Sequence, residues 1–203
     1  MDDILQKYSE RVLVDIFLSK EYLSLYAKLY ELPKNNSEIY DTFKDFWHIA
    51  KSSFLYSGTI TLAKVFDYKD EQSITLHKIL KYSQANKPTE KATKQIEIFY
   101  KEIDINKEKI ENLIYQRDKF YAHNDKISTK QLLGNAHLTY GDKLELLNLG
   151  KKICEYFLAH SQDEKNTPYL VWNQSGSGMF DTILYCLKQH KELIDNIVDN
   201  EFC

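Results

Sequence analysis

Residues 37–66 read SEIYDTFKDFWHIAKSSFLYSGTITLAKVF, and this stretch decides the fold class of the chain. Its apolar side chains recur at three- and four-residue steps, the spacing that places side chains on one face of an α-helix. They are Tyr40, Phe43, Phe46, Trp47, Ala50, Phe54, Leu55, Ile60, Leu62 and Phe66. The one glycine, Gly58, is expected to mark a kink or a close contact between helices. We therefore predict a long aromatic helix at the centre of the protein.

The same spacing predicts further helices on both sides of this stretch. The predicted helices cover about residues 2–31, 37–66, 73–86, 88–116, 144–160 and 179–199. Leu32-Pro33 is expected to end the first, Ser73 to cap the third, and residues 104–106 to mark a break in the fourth. Residues 124–141 are expected to form a loop, and only residues 169–172, YLVW, look like a strand.

Turn-forming residues are scarce, which limits the fold class. The 203 residues include six glycines and three prolines, whereas a sandwich or barrel needs a turn signal about every ten residues. We predict an all-α bundle of about five to seven helices, with long antiparallel helices. A helical domain is expected over residues 1–165, with a C-terminal loop and helix, residues 166–203, packed on the same bundle. An accessory hairpin is the alternative for that last segment.

The N-terminus and the cysteines indicate the compartment. The chain begins with acidic residues, and no apolar run approaches the roughly 18 residues of a membrane span. The cysteines, Cys154, Cys186 and Cys203, are odd in number and lack the CxxC spacing of a zinc site. His48 and His77 are expected to be packed or rim residues rather than metal ligands. We therefore expect a cytoplasmic protein without a membrane partner, a metal or a cofactor.

The charge pattern makes arginine a notable residue in this chain. A net charge of −3 gives no general basic surface for nucleic acid, so any RNA contact must be local. Only Arg11 and Arg117 are arginines among the 27 basic residues. A guanidinium is planar and forks onto phosphate in a way that an ammonium cannot imitate. An arginine in so lysine-rich a sequence therefore hints at a chemical role.

Arg117 opens a charged segment, RDKFYAHND, at the end of the fourth predicted helix. The segment resembles the signature of the HEPN superfamily, an arginine, a polar residue and then a histidine, carried here by Arg117, Asp118 and His123. Within that superfamily it is similar to the AbiU-like branch of abortive-infection proteins. A second similar stretch is LAKVFD, residues 62–67, followed by Ser73-Ile74. The likeness covers about residues 10–160.

The resemblance implies a function for the segment. It implies a HEPN-type all-α bundle, usually a homodimer, that cleaves RNA without a metal by attack of the ribose 2′-hydroxyl on the adjacent phosphate. Such proteins act in abortive infection, toxin–antitoxin systems or antiphage defence, so the expected partners are RNA, with tRNA as one candidate, and an antitoxin or regulator. His123 suits the acid/base role because imidazole titrates near neutral pH. Arg117 suits stabilisation of the transition state.

Four neighbouring residues are given supporting roles. Asp118 is expected to orient His123 or Arg117, and Lys119 to hold phosphate. Tyr121 is expected to donate a hydrogen bond or to stack on a base, and Asp125 belongs to the same pattern.

Helix geometry restricts how Arg117 and His123 can meet. On a regular helix, six positions separate the two residues by about 120° and 9 Å. Either the helix ends before His123, or a second subunit completes the site across a two-fold axis, as the resemblance implies. Two plainer interpretations stay open. Arg117 and Asp118 can form an ordinary surface ion pair, with His123 stabilised by a helix C-terminus; or the chain is a HEPN module without catalysis that binds a protein partner or a nucleotide.

Overall fold

The computed structural model describes residues 3–70, 72–86, 88–118, 137–159, 180 and 183–192. These residues are helical apart from their connections, and no strand occurs among them. The helices are α1 (Asp3–Asn35), α2 (Ser37–Thr42), α3 (Lys44–Phe66), α4 (Leu76–Ala85), α5 (Glu90–Ile105), α6 (Lys107–Gln116), α7 (Tyr140–Ala159) and α8 over residues 183–192. The predicted all-α class is confirmed, while the strand-like residues 169–172 lie outside the described ranges. None of the described helices has the length and apolar character needed to cross a membrane.

The first helix continues past the proline at which it was predicted to end. It runs through Pro33 to Asn35, and the N–H of Asn36 donates to the carbonyl oxygen of Leu32 at 2.8 Å. Proline removes one backbone donor and crowds the preceding turn, but here only two helical residues follow it. Leu29 and Leu32 are each 2% exposed, so burial favours completing this last turn.

The predicted long aromatic helix is two helices. Phe43 has backbone angles of φ −119° and ψ 35°, which are not helical, and it separates α2 from α3. Gly58 lies inside α3, where the Ser19 hydroxyl of α1 donates to its carbonyl oxygen at 2.7 Å. The close helix contact expected at this glycine is therefore present.

Helix α4 begins two residues later than predicted. Thr75, not Ser73, is its N-cap, because the Thr75 hydroxyl accepts the N–H of Lys78 at 3.3 Å. Ser73 instead donates its backbone N–H to the Asp70 carboxylate at 3.0 Å. It belongs to the turn before the helix, and this competing local hydrogen bond explains the shift.

The helices that surround Arg117 follow the prediction more closely. Helix α5 begins directly after Pro88-Thr89, and Asn106 separates α5 from α6 at the expected break. Gly141, predicted to lie in a loop, is in the first turn of α7. Residues 124–136 of that predicted loop lie outside the described ranges.

The chain divides into two compact units. The first consists of the described residues within Met1–Lys20 and Tyr56–Thr167, and the second of those within Glu21–Leu55 and Pro168–Cys203. The core of the first unit includes Val12, Leu62, Leu76, Leu80, Ile96, Phe99, Leu113, Leu146 and Ile153. Helix α7 packs closely there, because a Cβ on Gly150 would lie 3.0 Å from the Ile16 side chain.

The second unit has its own apolar cluster. It contains Leu29, Leu32, Ile39, Trp47 and Phe180. The Trp47 indole N–H donates to the carbonyl oxygen of Ile39 at 3.3 Å, which fixes α2 on the start of α3. The predicted boundary near residue 165 stays a prediction.

Candidate functional site

Arg117 directly follows α6, and burial of one face of that helix fixes the position of the arginine backbone. Ile110, Leu113 and Ile114 are 4%, 0% and 8% exposed, so one face of α6 packs into the core of the first unit. The backbone of Arg117 is still helical, with φ −56° and ψ −53°. Arg117 and Asp118 continue in a wider, π-type turn, a feature that is frequent at functional sites. The arginine therefore projects from a fixed helix end.

Two carboxylates hold the Arg117 guanidinium. Its Nη1 lies 2.6 Å from Oδ2 of Asp67. Its Nε and Nη2 lie 2.8 Å and 2.7 Å from one carboxylate oxygen of Asp118. The side chains of Asp67, Arg117 and Asp118 are 7%, 20% and 45% exposed. The guanidinium thus lies between a buried carboxylate and one that faces solvent.

Asp67 is the member of this cluster to which the sequence assigned no role. It follows α3, and its Oδ1 accepts the N–H of Lys69 at 2.9 Å while its Oδ2 accepts from Arg117. The local turn therefore orients the carboxylate independently of the arginine. The available signal was the stretch 62–67, similar to the AbiU-like branch, which reaches Phe66-Asp67. The separation of 50 positions from Asp67 to Arg117 leaves no local pattern that pairs them.

The two carboxylates also fix the charge of Arg117. Burial lowers the pKa of the guanidinium, but the hydrogen bonds and charges of Asp67 and Asp118 outweigh burial and raise this pKa above its ordinary value. The arginine stays charged. Removing Arg117 from Asp67 would leave a buried carboxylate without its cation, whereas water or another anion can compete with the exposed Asp118. The Nε–Nη2 edge, the one that forks onto phosphate, is therefore the accessible one.

A second anchored point follows the motif, at the start of α7. Thr139 and Asp142 form a capping box, in which the Thr139 N–H donates to Asp142 at 2.9 Å and the Asp142 N–H donates to the Thr139 hydroxyl at 3.0 Å. Lys109 of α6 pairs with Asp142 at 3.0 Å and also with Glu145. Hydrogen bonds from the Thr139 side chain, then Lys109, lower the pKa of Asp142 to about 2. Helices α6 and α7 are thereby tied together.

The structure places Arg117 and Asp118 in contact but does not describe the other predicted site residues. These lie within residues 119–136 and are Lys119, Tyr121, His123 and Asp125. Their roles stay predictions, and so does the expectation that the helix ends before His123.

Another ion cluster lies one helical turn before Asp67. Lys64 of α3 donates to Asp15 of α1 at 2.8 Å, and Arg11 lies 3.9 Å from the same carboxylate. The side chains of Asp15, Lys64 and Arg11 are 6%, 34% and 56% exposed. Of the two arginines, Arg117 is held by close contacts and Arg11 faces solvent.

A buried lysine adds a further charge to the first unit. Lys143 of α7 is 4% exposed, and burial lowers the pKa of its ammonium to about 8. Near neutral pH the group is still largely protonated, so its burial opposes folding.

The described histidine and cysteine side chains can be examined as candidate metal ligands. Among the described residues, no three His, Cys, Asp or Glu side chains are grouped so that they could hold a metal ion. Cys154 is buried, which raises the pKa of its thiol, while Cys186 is exposed. His48 lies at the surface beside Tyr40, and His77 is a rim residue whose ring contacts an aromatic neighbour.

Comparison with protein families supports the resemblance that the motif carries. The model of the AbiU2 family of HEPN proteins matches residues 5–175, a range that contains Asp67, Arg117 and Asp118. Neither the comparison with curated proteins nor the comparison with solved structures finds a match. Because the matched range covers most of the chain, the protein belongs to the AbiU2 family of HEPN proteins.

Proposed function

We propose that this chain is a metal-independent RNA endonuclease of the HEPN type, with its site completed by two subunits. The observation that carries the proposal is the Arg117 guanidinium, held by buried Asp67 on one side and by exposed Asp118 on its forked edge. A donor fixed in this way needs little reorganisation when a phosphate takes the place of Asp118. Membership of the AbiU2 family supports the same function.

In the proposed reaction, the ribose 2′-oxygen attacks the adjacent phosphorus while the bond between phosphorus and the 5′-oxygen breaks. The 2′-hydroxyl gives up a proton and the leaving 5′-oxygen gains one, so the products are a 2′,3′-cyclic phosphate and a 5′-hydroxyl. His123 is proposed to exchange these protons, because imidazole does so near neutral pH. Arg117 is proposed to stabilise the charge that builds on the non-bridging oxygens.

The proposed homodimer rests on the HEPN resemblance, and the spacing of the two residues leaves room for it. If a regular helix continued to His123, Arg117 and His123 would be about 120° apart, and the pair of one subunit would not face one phosphate. A two-fold axis brings two copies of the motif to one cleft. Sedimentation velocity of the purified chain is expected to show a dimer, and a strict monomer with full cleavage activity would rule out the shared site.

The proposed biological role is antiphage defence by abortive infection or as a toxin with an antitoxin. The family name supports abortive infection, and an enzyme that cleaves cellular RNA such as tRNA would need a partner that restrains it. Expression of the wild-type chain alone is therefore expected to slow the growth of a bacterial host. Expression of Arg117→Ala is expected not to do so.

A nuclease assay tests the proposal directly. Purified protein is incubated with tRNA and with total RNA in EDTA, and the ends of the products are analysed. We expect cyclic-phosphate ends from the wild type and none from His123→Ala or Arg117→Ala. The matched controls are His190→Ala and Arg11→Ala, because both native side chains are exposed, and both variants are expected to cleave normally. Cleavage that persists in His123→Ala would remove the assignment.

One observation favours the second candidate, a non-catalytic module that binds a protein partner or a nucleotide. Asp67 and Asp118 together outweigh the charge of Arg117, and the whole chain carries a net charge of −3. Wild-type phage resistance in a folded Arg117→Ala/His123→Ala double mutant would favour this module. Loss of resistance in that double mutant would favour the nuclease.

A further inference from the structure

A cavity beside Asp67 has no part in the chemistry proposed above. It has a volume of about 270 Å³ and is formed by residues at the end of α3, the start of α4 and the α5–α6 junction. Phe66, Leu76 and Ile110 line its apolar part and are 5%, 1% and 4% exposed. Pockets for drug-sized ligands begin at about 300 Å³. This cavity therefore suits a single planar ring system.

Aromatic side chains line the same cavity. The rings of His77 and Tyr100 pack edge to face, with centroids 6.4 Å apart and planes at 74°. Tyr68 also lines the cavity and is 51% exposed. Burial raises the pKa of Tyr100, so its phenol stays neutral. Proteins that bind single-stranded RNA stack its bases on such rings.

The chain itself connects the cavity to the Arg117 cluster. Phe66 and Tyr68 are the immediate neighbours of Asp67, whose carboxylate holds Arg117 at 2.6 Å. Ile110, which also lines the cavity, precedes Arg117 by seven residues, or about 10 Å along a helix. A phosphate on Arg117 and a base in the cavity can therefore belong to one short stretch of RNA.

Three charged side chains of the cavity indicate which part of a nucleotide fits. Asp104 and Glu111 repel phosphate, but their carboxylates can accept hydrogen bonds from an amino group on the edge of a base. Lys107, between them in sequence, supplies a cation for a neighbouring phosphate. The set therefore matches a base with an exocyclic amino group better than a second phosphate.

We infer that this cavity binds adenine, cytosine or guanine from the RNA strand whose phosphate lies on Arg117. The inference rests on the proposed ribonuclease function and gives that function a sequence preference. Uracil offers a ring N–H but no amino group to Asp104 or Glu111, so it makes fewer hydrogen bonds there and is expected to bind more weakly. Cleavage is accordingly expected to be weakest where uridine occupies the cavity.

Binding of single nucleotides tests the inference apart from cleavage. AMP, CMP, GMP and UMP are titrated separately into the full chain in EDTA and followed by NMR chemical shifts. The tightest of the first three is expected to bind at least about fivefold more tightly than UMP, the lower end of what one good base contact provides. Equal affinities for all four nucleotides, or no binding, would overturn the inference.

Aromatic variants locate the binding. Tyr100→Leu and Tyr68→Ala are each expected to weaken nucleotide binding about tenfold, the order of one stacking contact. Because Tyr68 is half exposed, Tyr68→Ala is expected to leave the core intact. It therefore tests the cavity even where Tyr100→Leu does not fold. The matched control is Tyr185→Ala, at a 64% exposed tyrosine of α8, with unchanged affinity expected. Unchanged affinity in folded Tyr68→Ala would contradict the inference.

Cleavage by the same preparations separates this inference from the ribonuclease proposal. If the wild type cleaves RNA but binds all four nucleotides equally, the ribonuclease stands and the base site falls. If it binds the amino-bearing nucleotides through Tyr68 but leaves RNA intact, the base site stands and the ribonuclease falls. If the tyrosine variants change the sedimentation coefficient but not nucleotide affinity, the cavity seats a second copy of the chain and the inference is wrong.

Discussion

Asp15 and Asp67 are two buried carboxylates close to the same end of α3, and different cations hold them. Asp15 is paired with Lys64 at 2.8 Å. Asp67 is paired with Arg117 at 2.6 Å, and that arginine also contacts exposed Asp118. At Asp15, where the ion pair joins α1 and α3, a lysine is enough to neutralise the buried carboxylate. An arginine with two partners stands where the sequence carries its HEPN signature.

The difference teaches what the rare arginine adds. Two of 27 basic residues are arginines, so lysine is the usual cation of this protein, even at a buried carboxylate. An ammonium at position 117 would neutralise Asp67 but would offer no forked edge to a phosphate. Neutralising a buried charge and binding a phosphate are therefore separable tasks, and substitutions can separate them.

The largest expected effect is on cleavage by Arg117→Lys. Because lysine keeps the charge at Asp67 but loses the fork, single-turnover cleavage of RNA is expected to fall about 100- to 1,000-fold. Thermal unfolding is expected to change little. Arg11→Lys, at the exposed arginine, is the control and should cleave like the wild type. Equal losses of cleavage in Arg117→Lys and Arg11→Lys would show that the two ion clusters do not differ in their role in catalysis.

Asp67→Asn should have the next largest effect, on stability. It leaves Arg117 partly buried with only Asp118, so the free energy of unfolding is expected to fall by about 2 to 3 kcal/mol, less than for a fully buried pair. Asp118→Asn should cost below about 1 kcal/mol, because that pair is exposed. Urea unfolding measures both. A larger loss from Asp118→Asn would contradict the ranking.

Lys143 is a buried lysine whose loss of hydration lowers the free energy of unfolding. Its pKa falls from 10.5 to about 8 on folding, so between those pH values the unfolded chain binds a proton that the folded chain lacks. Wild-type stability should therefore rise from pH 8 to 10.5. Lys143→Met should lose that rise and be more stable at pH 7, by up to about 3 kcal/mol. Lys64→Met should instead destabilise, because it strips Asp15 of its cation.

The smallest expected effect belongs to Asp142, a carboxylate paired with a lysine at the surface. Its pKa is lowered to about 2 from 3.8, so its contribution is fully present above pH 4 and is lost as the pH falls through 2. Asp142→Asn is expected to lower the free energy of unfolding at pH 7 by less than about 1 kcal/mol. Acid titration of unfolding compares the variant with the wild type, and identical curves would remove this role.

The sequence predicts the helices well and their limits less well, for physical reasons. Helical spacing of apolar side chains suffices for the all-α class and for the break at Asn106. It does not predict the continuation through Pro33 or the division at Phe43, because burial of Leu32 and Trp47 decides both. These are contacts between distant turns, which local propensity does not contain.

The site divides in the same way. The HEPN resemblance identifies Arg117 because its signature is local. It could not pair Arg117 with Asp67 across 50 positions, since only the packing of α6 beside the end of α3 brings them together. The sequence alone could not predict the cavity next to Asp67 either, because residues from four separate helix ends line it.

The position of Arg117 at the end of α6 limits which mutations the site can tolerate. Each residue added to or removed from a helix rotates all later residues of that helix by about 100°. A one-residue deletion in α6 would therefore aim position 117 away from Asp67, although every side chain of the cluster would still be encoded. The site should tolerate many point substitutions on the outer face of α6, but very few changes in the length of that helix.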